Sequence, residues 1–274
     1  MENRNNFKHG RKPINREGGA VREVAEGIIY GRNQVRELLK TDRAIDKIYL
    51  RKGDREGSVL QIIAMASEKG IPIVDVEREK LDSLCGYANH QGVAAMAAEK
   101  EYCEVADILN IAKERGEDPF IVILDGVEDP YNLGAVIRCA ECAGVHGVII
   151  PKRRAVGLTP AAAKSSAGAL EHMAVAKVVN IAAAIEELQA AGVWVYAAEA
   201  DGDELYGVDM NRGAAFVFGS EGRGVSRLVC DKSDYKVSIP MYGKVNSMNV
   251  STAAAVVLTE AARQKHSAKS KKVD

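Results

Sequence analysis

Residues 218–229 read FGSEGRGVSRLV, and residues 237–257 read VSIPMYGKVNSMNVSTAAAVV. Together these stretches place glycine-rich turns, one acid, one proline and several amide or hydroxyl side chains at the ends of apolar runs. A third stretch of the same character, LDGVEDPYNLGAVIRCAECAGVHGVIIP, covers residues 124–151. Parallel α/β sheets present backbone atoms and a few polar side chains to a ligand in this way, at their strand ends. We therefore predict a parallel α/β sheet with a ligand site along one edge.

The rest of the second half of the chain fits this sheet. Six apolar runs predict strands at 120–124, 147–150, 173–178, 193–199, 214–219 and 236–240. Several of these runs are unbroken, which is typical of strands buried on both faces of a parallel sheet. Helical patterns lie between them. The last helical pattern, MNVSTAAAVVLTEAARQK (248–265), is apolar almost all round, which predicts burial on every side, in a core or against a partner subunit.

A separate alternation of strand and helix patterns precedes this half and ends near Glu99, which predicts a smaller α/β unit. Between the two units, a charged stretch predicts a linker with one helix. The predicted organisation is a disordered basic tail (1–26), a first domain (27–99), a linker (100–118), a second domain (119–265) and a second basic tail (266–274).

Composition narrows the class of protein. The 274 residues are 47% hydrophobic and 27% charged, which is typical of a soluble globular protein, and no apolar run is long enough to predict a membrane span. The five cysteines make no disulfide framework, so we expect a reducing cytoplasm. Cys139 and Cys142 form a C-x-x-C pair without a matching second pair, so no metal site is predicted. The net charge of −1 hides two basic termini on a neutral body. Basic tails serve either weak phosphate contact or solubility, so charge alone does not establish a nucleic-acid partner.

Three polar positions on the first and third of these stretches are candidate site residues. Glu221 lies within G-x-x-G-x-G, whose spacing and position differ from the dinucleotide fingerprint, so it is either a solvated turn acid or a ligand contact. Asn132 is predicted at a helix start, just past a buried strand. Arg138 lies in the middle of that apolar helix, where it either pairs with Glu141 on the surface or meets an anionic or carbonyl partner.

The second stretch carries Ser247, Asn249 and Ser251 around a predicted helix start. Each of them is a favoured helix-capping residue, and capping alone explains any one of them. A helix N-terminus with free amides also receives anions, so capping and ligand binding are compatible.

Taken together, these stretches resemble a known family. NLGAVIR (132–138), FVFGSEGRGVS (216–226) and IPMYGKVNSMNVS (239–251) resemble, in order and separation, the three signature motifs of the SpoU-type (TrmH-like) branch of the SPOUT RNA methyltransferases. Residues 27–98, with YGRNQV near the start and NHQGVAAMA near the end, resemble the L30e-like substrate-binding domain of bacterial 23S rRNA guanosine 2′-O-methyltransferases.

The resemblance implies a fold and an activity. The expected fold is an L30e-like α/β domain followed by a SPOUT α/β domain with a parallel sheet and a deep trefoil knot, one of the rare exceptions to unknotted topology. The expected activity is S-adenosylmethionine-dependent methylation of a ribose 2′-hydroxyl in RNA by a homodimer, with 23S rRNA as the favoured substrate. Two alternatives remain open: a tRNA 2′-O-methyltransferase and a non-catalytic RNA-binding protein of the same fold.

The resemblance also implies roles for individual residues. The catalytic set it implies is Arg138, Asn132, Glu221, Ser247 and Asn249. The resemblance implies a central role for Arg138, either as the base or as a positioning group. Its forked donors suit holding the target phosphate and polarising the 2′-oxygen better than proton removal. The cofactor contacts implied are Gly219, Ile239 and Met248, largely through backbone groups.

Overall fold

A computed structural model describes residues 23–270, with side chains through residue 267. The first domain is a four-stranded mixed sheet with three helices. Its elements are β1 (Ile28–Tyr30), α1 (Arg32–Leu38), β2 (Ile45–Arg51), α2 (Ser58–Glu68), β3 (Ile73–Val76), α3 (Arg78–Leu84) and β4 (Val93–Ala97). The strand order is β1-β4-β2-β3, with β4 antiparallel to both of its neighbours and β3 parallel to β2. The elements from α1 to β4 follow the predicted alternation. The alternation does not include β1, which is only three residues long.

The segment between the two sheets does more than connect them. Its helix, α4 (Val105–Glu114), buries Val105, Ile108 and Ala112 in the core of the second domain. A Cβ atom on Gly147 would lie 2.6 Å from the Ile108 side chain, so a glycine at this point of the sheet lets α4 pack closely. Residues 100–118, predicted as a linker, therefore cover one face of the second sheet.

The second domain is a six-stranded sheet covered by helices on both faces. Its elements are β5 (Phe120–Asp125), α5 (Pro130–Cys142), β6 (Gly147–Pro151), α6 (Pro160–Ser165), β7 (Ala174–Val178), α7 (Ile181–Ala190), β8 (Trp194–Glu204), β9 (Ala214–Gly219), α8 (Arg227–Lys232), β10 (Tyr235–Ser238) and α9 (Val250–Ser270). The order is β10-β8-β9-β5-β6-β7, and every pair of neighbours is parallel. The predicted parallel α/β class is confirmed, and the knot stays a prediction.

The last helix differs from its prediction. One face of α9, which includes Ala254, Leu258 and Ala261, is buried in the core, while Thr252 and Thr259 on the other side are exposed. Within one chain the helix is therefore not buried on every side. Of the two predicted burial sites, only a partner subunit remains for the outer face, and it stays a prediction.

The first domain packs on the segment that joins β6 to β7. Arg43 pairs with the buried Glu171 at 3.0 Å, and the side-chain amide of Gln34 donates to the carbonyl of Ala163 at 2.9 Å. That segment includes α6, which packs directly on α5. The two domains therefore meet beside the start of α5. Residues 1–22 of the first predicted tail and 271–274 of the second lie outside the described residues, whereas 266–270 continue α9. Among the described helices none is long and apolar enough to cross a membrane.

Candidate functional site

The polar stretches come together at the carboxyl edge of the second sheet. An open cleft of about 1090 Å³ lies there, lined by residues 219–222 and 224 of the glycine-rich turn and by residues 237–241 and 243–250, from the end of β10 to the start of α9. The three residues predicted to contact a cofactor, Gly219, Ile239 and Met248, all line it. Since parallel strands deliver their carboxyl ends to one edge, the topology explains why distant motifs meet at this cleft.

Gly219 lies where two backbone segments cross. A Cβ atom at this position would lie 1.9 Å from the carbonyl carbon of Gly224, which is far inside van der Waals contact. The turn closes through a backbone hydrogen bond from Gly224 to Ser220 of 3.0 Å. The glycine is therefore required for the turn to fold back against the end of β9, and its backbone groups border the cleft.

The opposite wall of the cleft offers unpaired backbone and apolar side chains. Within the described part of the chain, residues 239–248 make no backbone–backbone hydrogen bond. Val245 is 69% exposed and Met248 is also exposed, whereas Ile239 packs on the core. A wall with free amides, free carbonyls and exposed apolar side chains suits a ligand with both polar groups and an apolar ring system.

Three predicted residues form a hydrogen-bonded triangle beside this cleft. The amide nitrogen of Asn132 donates to Glu221 Oε1 at 3.2 Å, and the amide nitrogen of Asn249 donates to the same oxygen at 2.5 Å. Asn249 also donates to Asn132 Oδ1 at 2.9 Å. The second carboxylate oxygen, Glu221 Oε2, accepts no hydrogen bond from the described residues. The triangle thus holds one carboxylate oxygen ready for a further donor.

Helix starts set the positions of both amides. Asp129 caps α5 by accepting from the Tyr131 backbone, and Pro130 takes the first helical position, so α5 begins two residues before the predicted start. Asn132 consequently lies in the first helical turn. Asn249 precedes α9 and accepts from the Ser251 backbone at 2.9 Å, which is the predicted capping role. Its oxygen caps the helix while its nitrogen completes the triangle.

The two remaining predicted residues lie apart from the triangle. Ser247 lines the cleft, is exposed and makes no hydrogen bond with a described residue. Arg138 is exposed on α5 and makes no ion pair with a described residue, so the predicted surface pair with Glu141 is absent from this part of the chain. Six helical positions separate Arg138 from Asn132, which is about 9 Å along the axis and about 120° around it. One chain does not bring this arginine to the triangle.

Two acids that sequence analysis overlooked hold the glycine-rich turn. Glu199 Oε1 accepts from the backbone of Val225 at 2.5 Å, and Asp125 Oδ2 accepts from the backbone of Ser226 at 2.8 Å. Asp125 ends β5, and Glu199 lies in β8 two residues past its last pairing with β9, so each stands at the carboxyl edge of β9. That position was the signal that could have identified them.

The C-x-x-C pair shows no sign of a metal. Cys139 is half-buried with its sulfur 4.0 Å from the carbonyl oxygen of Ser251, while Cys142 is exposed. Burial raises the pKa of the Cys139 thiol, so it stays protonated near neutral pH. Within the residues that the structure describes, no group of three His, Cys, Asp or Glu side chains is arranged to hold a metal ion.

Comparison with known families matches both domains. The profile of the "SpoU rRNA Methylase family" matches residues 119–259, and the profile "RNA 2′-O ribose methyltransferase substrate binding" matches residues 28–103. A Bacillus subtilis protein described as "Putative TrmH family tRNA/rRNA methyltransferase YacO" is 44% identical over 239 residues, which cover 87% of this chain and 96% of that protein.

Solved structures share the fold to different extents. An AdoMet-bound rRNA methyltransferase from Sinorhizobium meliloti superposes with a TM-score of 0.70 at 23% identity, over 86% of both chains. A TrmH/SpoU tRNA modifying enzyme from A. aeolicus superposes with a TM-score of 0.51 at 26% identity, over 60% of this chain and 86% of its own.

Proposed function

Because the chain belongs to the SpoU rRNA methylase family, we propose that it transfers a methyl group from S-adenosylmethionine to a ribose 2′-hydroxyl of a guanosine in 23S rRNA. The single observation that carries the proposal is the triangle of Asn132, Glu221 and Asn249 at the rim of the cleft. It places an open carboxylate oxygen next to a cleft with the lining of a nucleoside site. A protein that only binds RNA has no need of that arrangement.

The backbone groups and apolar side chains that line the cleft fit S-adenosylmethionine. Gly219 leaves no room for a side chain, and residues 239–248 present free backbone groups beside exposed apolar side chains. Gly219, Ile239 and Met248 would hold the cofactor, with Met248 and Ile239 covering apolar surface. When bound, S-adenosylmethionine supplies an electrophilic methyl group on a positively charged sulfur.

The triangle would position the acceptor. Glu221 Oε2 can accept a hydrogen bond from a ribose hydroxyl, while the two amides fix the carboxylate and keep it in one orientation. Ser247, on the same wall, would donate to a phosphate or ribose oxygen. Holding the hydroxyl in line with the methyl group would make their encounter effectively intramolecular. Glu221 Oε2 or solvent would take the hydroxyl proton as the methyl group passes from sulfur to oxygen, which leaves S-adenosylhomocysteine.

Arg138 would complete the site from a partner subunit. A guanidinium keeps its proton in proteins, so its role is to hold phosphate and polarise the 2′-oxygen with its forked donors. The exposed position of Arg138, away from its own triangle, and the outward face of α9 with Thr252 and Thr259 both support a homodimer. In a two-fold dimer, each chain can lend its Arg138 to the other chain's triangle.

Mixed dimers test this arrangement. Arg138→Ala and Glu221→Gln chains, each inactive alone, would be co-expressed with two different tags and the heterodimer purified. If Arg138 acts across the dimer, one of the two sites is intact and about half of the wild-type activity per dimer returns. If it acts within its own chain, both sites are defective and the heterodimer stays inactive. A monomer in solution at assay concentrations would contradict the homodimer.

The first domain favours rRNA over tRNA as substrate. The tRNA-modifying enzyme aligns with only 60% of this chain, whereas the rRNA methyltransferase aligns with 86%, a span that includes the first domain. The domain is similar to a substrate-binding module, and RNA targets are recognised as loops with splayed bases by such additional surfaces. Activity on rRNA would place the protein in the cytoplasm.

The direct test uses radiolabelled S-adenosylmethionine and total RNA that lacks its own modifications. We expect label in 23S rRNA, recovered as ribose-methylated guanosine. Label in tRNA would preserve the reaction and overturn the rRNA substrate. Absence of label in every RNA, with cofactor binding verified by calorimetry, would favour the RNA-binding alternative.

A further inference from the structure

A second cleft adjoins the triangle from the other side. Its volume is about 650 Å³, and it lies between the carboxyl ends of β5 and β6 and the start of α7. Asn132 lines this cleft, Asn249 lines the cofactor cleft, and Ser220, Glu221 and Gly224 line both. The triangle is therefore the wall between the two clefts. A group in the second cleft can reach Glu221 from the side opposite to the proposed cofactor, as in-line transfer requires.

Three arginines surround the second cleft without a protein partner. Arg153 and Arg154 follow β6, and Arg223 lies in the glycine-rich turn. All three are exposed, and none makes a hydrogen bond or ion pair with another described residue. Arginines elsewhere, such as Arg43 and Arg212, are paired with acids. The free guanidinium groups are therefore available to an anionic ligand.

Three of the four carboxylates that line the same cleft already have donors from the protein, and the fourth, Glu128, is exposed and makes no hydrogen bond or ion pair with a described residue. Asp125 accepts from the Ser226 backbone, Asp129 caps α5, and Glu221 accepts from two amides. Each of these three acids already has N–H donors from the protein. The guanidinium groups, with forked donors and no partner, match phosphate oxygens.

A matching pocket lies on the first domain. Its volume is about 490 Å³, and its walls carry Tyr87 and three arginines, Arg32, Arg51 and Arg78, which pair with Asp54 or Asp82 of the same walls. Arg32 is held in place by donating to the carbonyl of Gln91 at 2.9 Å and by pairing with Asp54 at 3.1 Å. Tyr87 is 60% exposed at the pocket rim. A fixed guanidinium plane beside an exposed aromatic ring suits an unpaired RNA base, which stacks on such surfaces.

Two consecutive residues of α6 join the two sites. Lys164 donates to the carbonyl of Asn89, on the wall of the first-domain pocket, at 3.1 Å. Ser165 donates to the carbonyl of Pro130, next to Asp129 on the wall of the second cleft, at 3.3 Å. Beside this junction Tyr131 is 64% exposed. A strand that leaves the second cleft therefore meets an aromatic side chain before it reaches the first domain.

We propose that one single-stranded RNA segment binds along this path, which we call the RNA track: the second cleft, Tyr131 and the first-domain pocket. Arg153, Arg154 and Arg223 hold phosphates beside the target ribose, Tyr131 stacks on a neighbouring base, and the first-domain pocket holds a base farther along the strand. This inference rests on the proposed RNA methylation and adds where the substrate strand lies and which side chains hold it.

The test compares single variants in RNA binding and methylation. Arg154→Gln, Tyr131→Ala and Arg78→Gln would be assayed on transcribed 23S rRNA fragments at several salt concentrations, with cofactor affinity measured by calorimetry. We expect about fivefold to tenfold weaker RNA binding for each arginine variant and a salt slope lower by about 1. We expect about tenfold weaker binding for Tyr131→Ala and near-normal binding for Tyr131→Phe. Cofactor affinity should not change.

Arg115→Gln is the matched control. Arg115 directly follows α4, five residues before β5 begins, so it lies toward the amino edge of the sheet, and it makes no ion pair with a described residue. The Arg115→Gln substitution removes the same charge from a position off the RNA track and should leave RNA affinity unchanged. Equal losses in Arg115→Gln and Arg154→Gln would mean that only net charge matters, and would overturn the track.

Arg154→Gly separates binding from folding. Arg154 has a φ of 56°, a left-handed conformation that glycine adopts without strain. The variant should therefore be at least as stable as the wild type while its RNA affinity falls like that of Arg154→Gln. If the wild type methylates RNA and all track variants bind it normally, the track is wrong and the proposed function stands. If the wild type methylates no RNA despite binding cofactor, the proposed function fails instead.

Discussion

The two edges of the second sheet both carry polar side chains, yet they differ in how those side chains are used. At the amino edge, buried His146 accepts from the Phe120 backbone at 3.0 Å and contacts Glu117 at 3.1 Å. Asp234 accepts there from the Val195 backbone at 2.8 Å. At the carboxyl edge, Glu221 keeps an open oxygen, and the wall 239–248 makes no backbone–backbone hydrogen bond among the described residues.

The contrast shows which property marks a functional edge. Polar residues at strand ends are present at both edges, so their presence alone does not distinguish stability from function. The amino edge uses them to satisfy backbone groups at the strand starts, which stabilises the fold. The carboxyl edge leaves donors, acceptors and arginines without protein partners, which is the state expected before a ligand binds. Substitutions at the two edges should therefore affect different measurements.

The largest effect should come from Glu221→Gln. The variant keeps the shape of the side chain, but it removes the charge and presents an amide to the donors of Asn132 and Asn249. We expect kcat/KM to fall by about 10²- to 10³-fold, as when a positioned polar group is lost from other active sites. The melting temperature should stay close to that of the wild type, because Glu221 is exposed.

The matched control at the other edge is His146→Gln, which should lower stability and leave kcat/KM unchanged. The comparison of edges would be broken by a Glu221→Gln protein that methylates RNA at the wild-type rate, or by a His146→Gln protein that folds stably and has lost activity.

Gly219→Ala should have the next largest effect. The new methyl group would overlap the Gly224 backbone, so the turn must move away from β9. We expect a loss of about 1–3 kcal/mol in the free energy of unfolding, together with weaker cofactor binding. Urea unfolding and calorimetry measure the two effects. Gly243→Ala, on the opposite wall with open space around it, should be neutral in both, and an equal loss there would contradict the difference between the walls.

Cofactor binding should produce a smaller and more local effect. Amides of residues 239–248 should exchange quickly with solvent in the free protein, because they lack backbone partners. Addition of S-adenosylmethionine should slow their exchange by about tenfold or more, whereas amides within β5 and β9 should already be slow. Hydrogen exchange with mass spectrometry resolves both regions. Equal protection of residues 239–248 before and after addition would show that this wall does not receive the cofactor.

Sequence patterns predicted the strands and helices of the molecule better than the arrangement of its site. Unbroken apolar runs such as FIVIL identified the parallel strands, because burial on both faces leaves few other options. Motif spacing pointed to Asn132, Glu221 and Asn249, which the fold brings together. The separation of Arg138 from them depends on how a helix surface turns over six residues, which is not a property of a local motif.

The supporting acids show the same limit. Asp125 and Glu199 hold the glycine-rich turn through backbone hydrogen bonds across the sheet. Such contacts depend on strand order, because β5 and β8 both flank β9 only once the sheet is assembled. Before the order is known, an acid after an apolar run indicates a strand end and nothing more specific. The two arginines after β6 were unremarkable in the sequence for the same reason.

The smallest expected effect, on pH dependence, tests the amino edge directly. Burial lowers the pKa of His146 below its usual value of 6.5, although the neighbouring Glu117 acts in the opposite direction. The unfolded chain therefore binds the proton first as pH falls, and stability declines from about pH 6.5 toward the pKa of the folded state. Protonation at Nδ1 would also break the bond from the Phe120 backbone, a loss of about 1 kcal/mol.

Urea unfolding between pH 7.5 and about pH 5.5 should show this decline of stability in the wild type and a flatter one in His146→Gln, since carboxylates titrate mainly below that window. His172→Gln, which removes an exposed histidine paired with Glu37, should retain the His146 part of the slope. An unchanged slope in His146→Gln would mean that the amino edge does not depend on a neutral imidazole, and the contrast between the edges would then rest on the carboxyl edge alone.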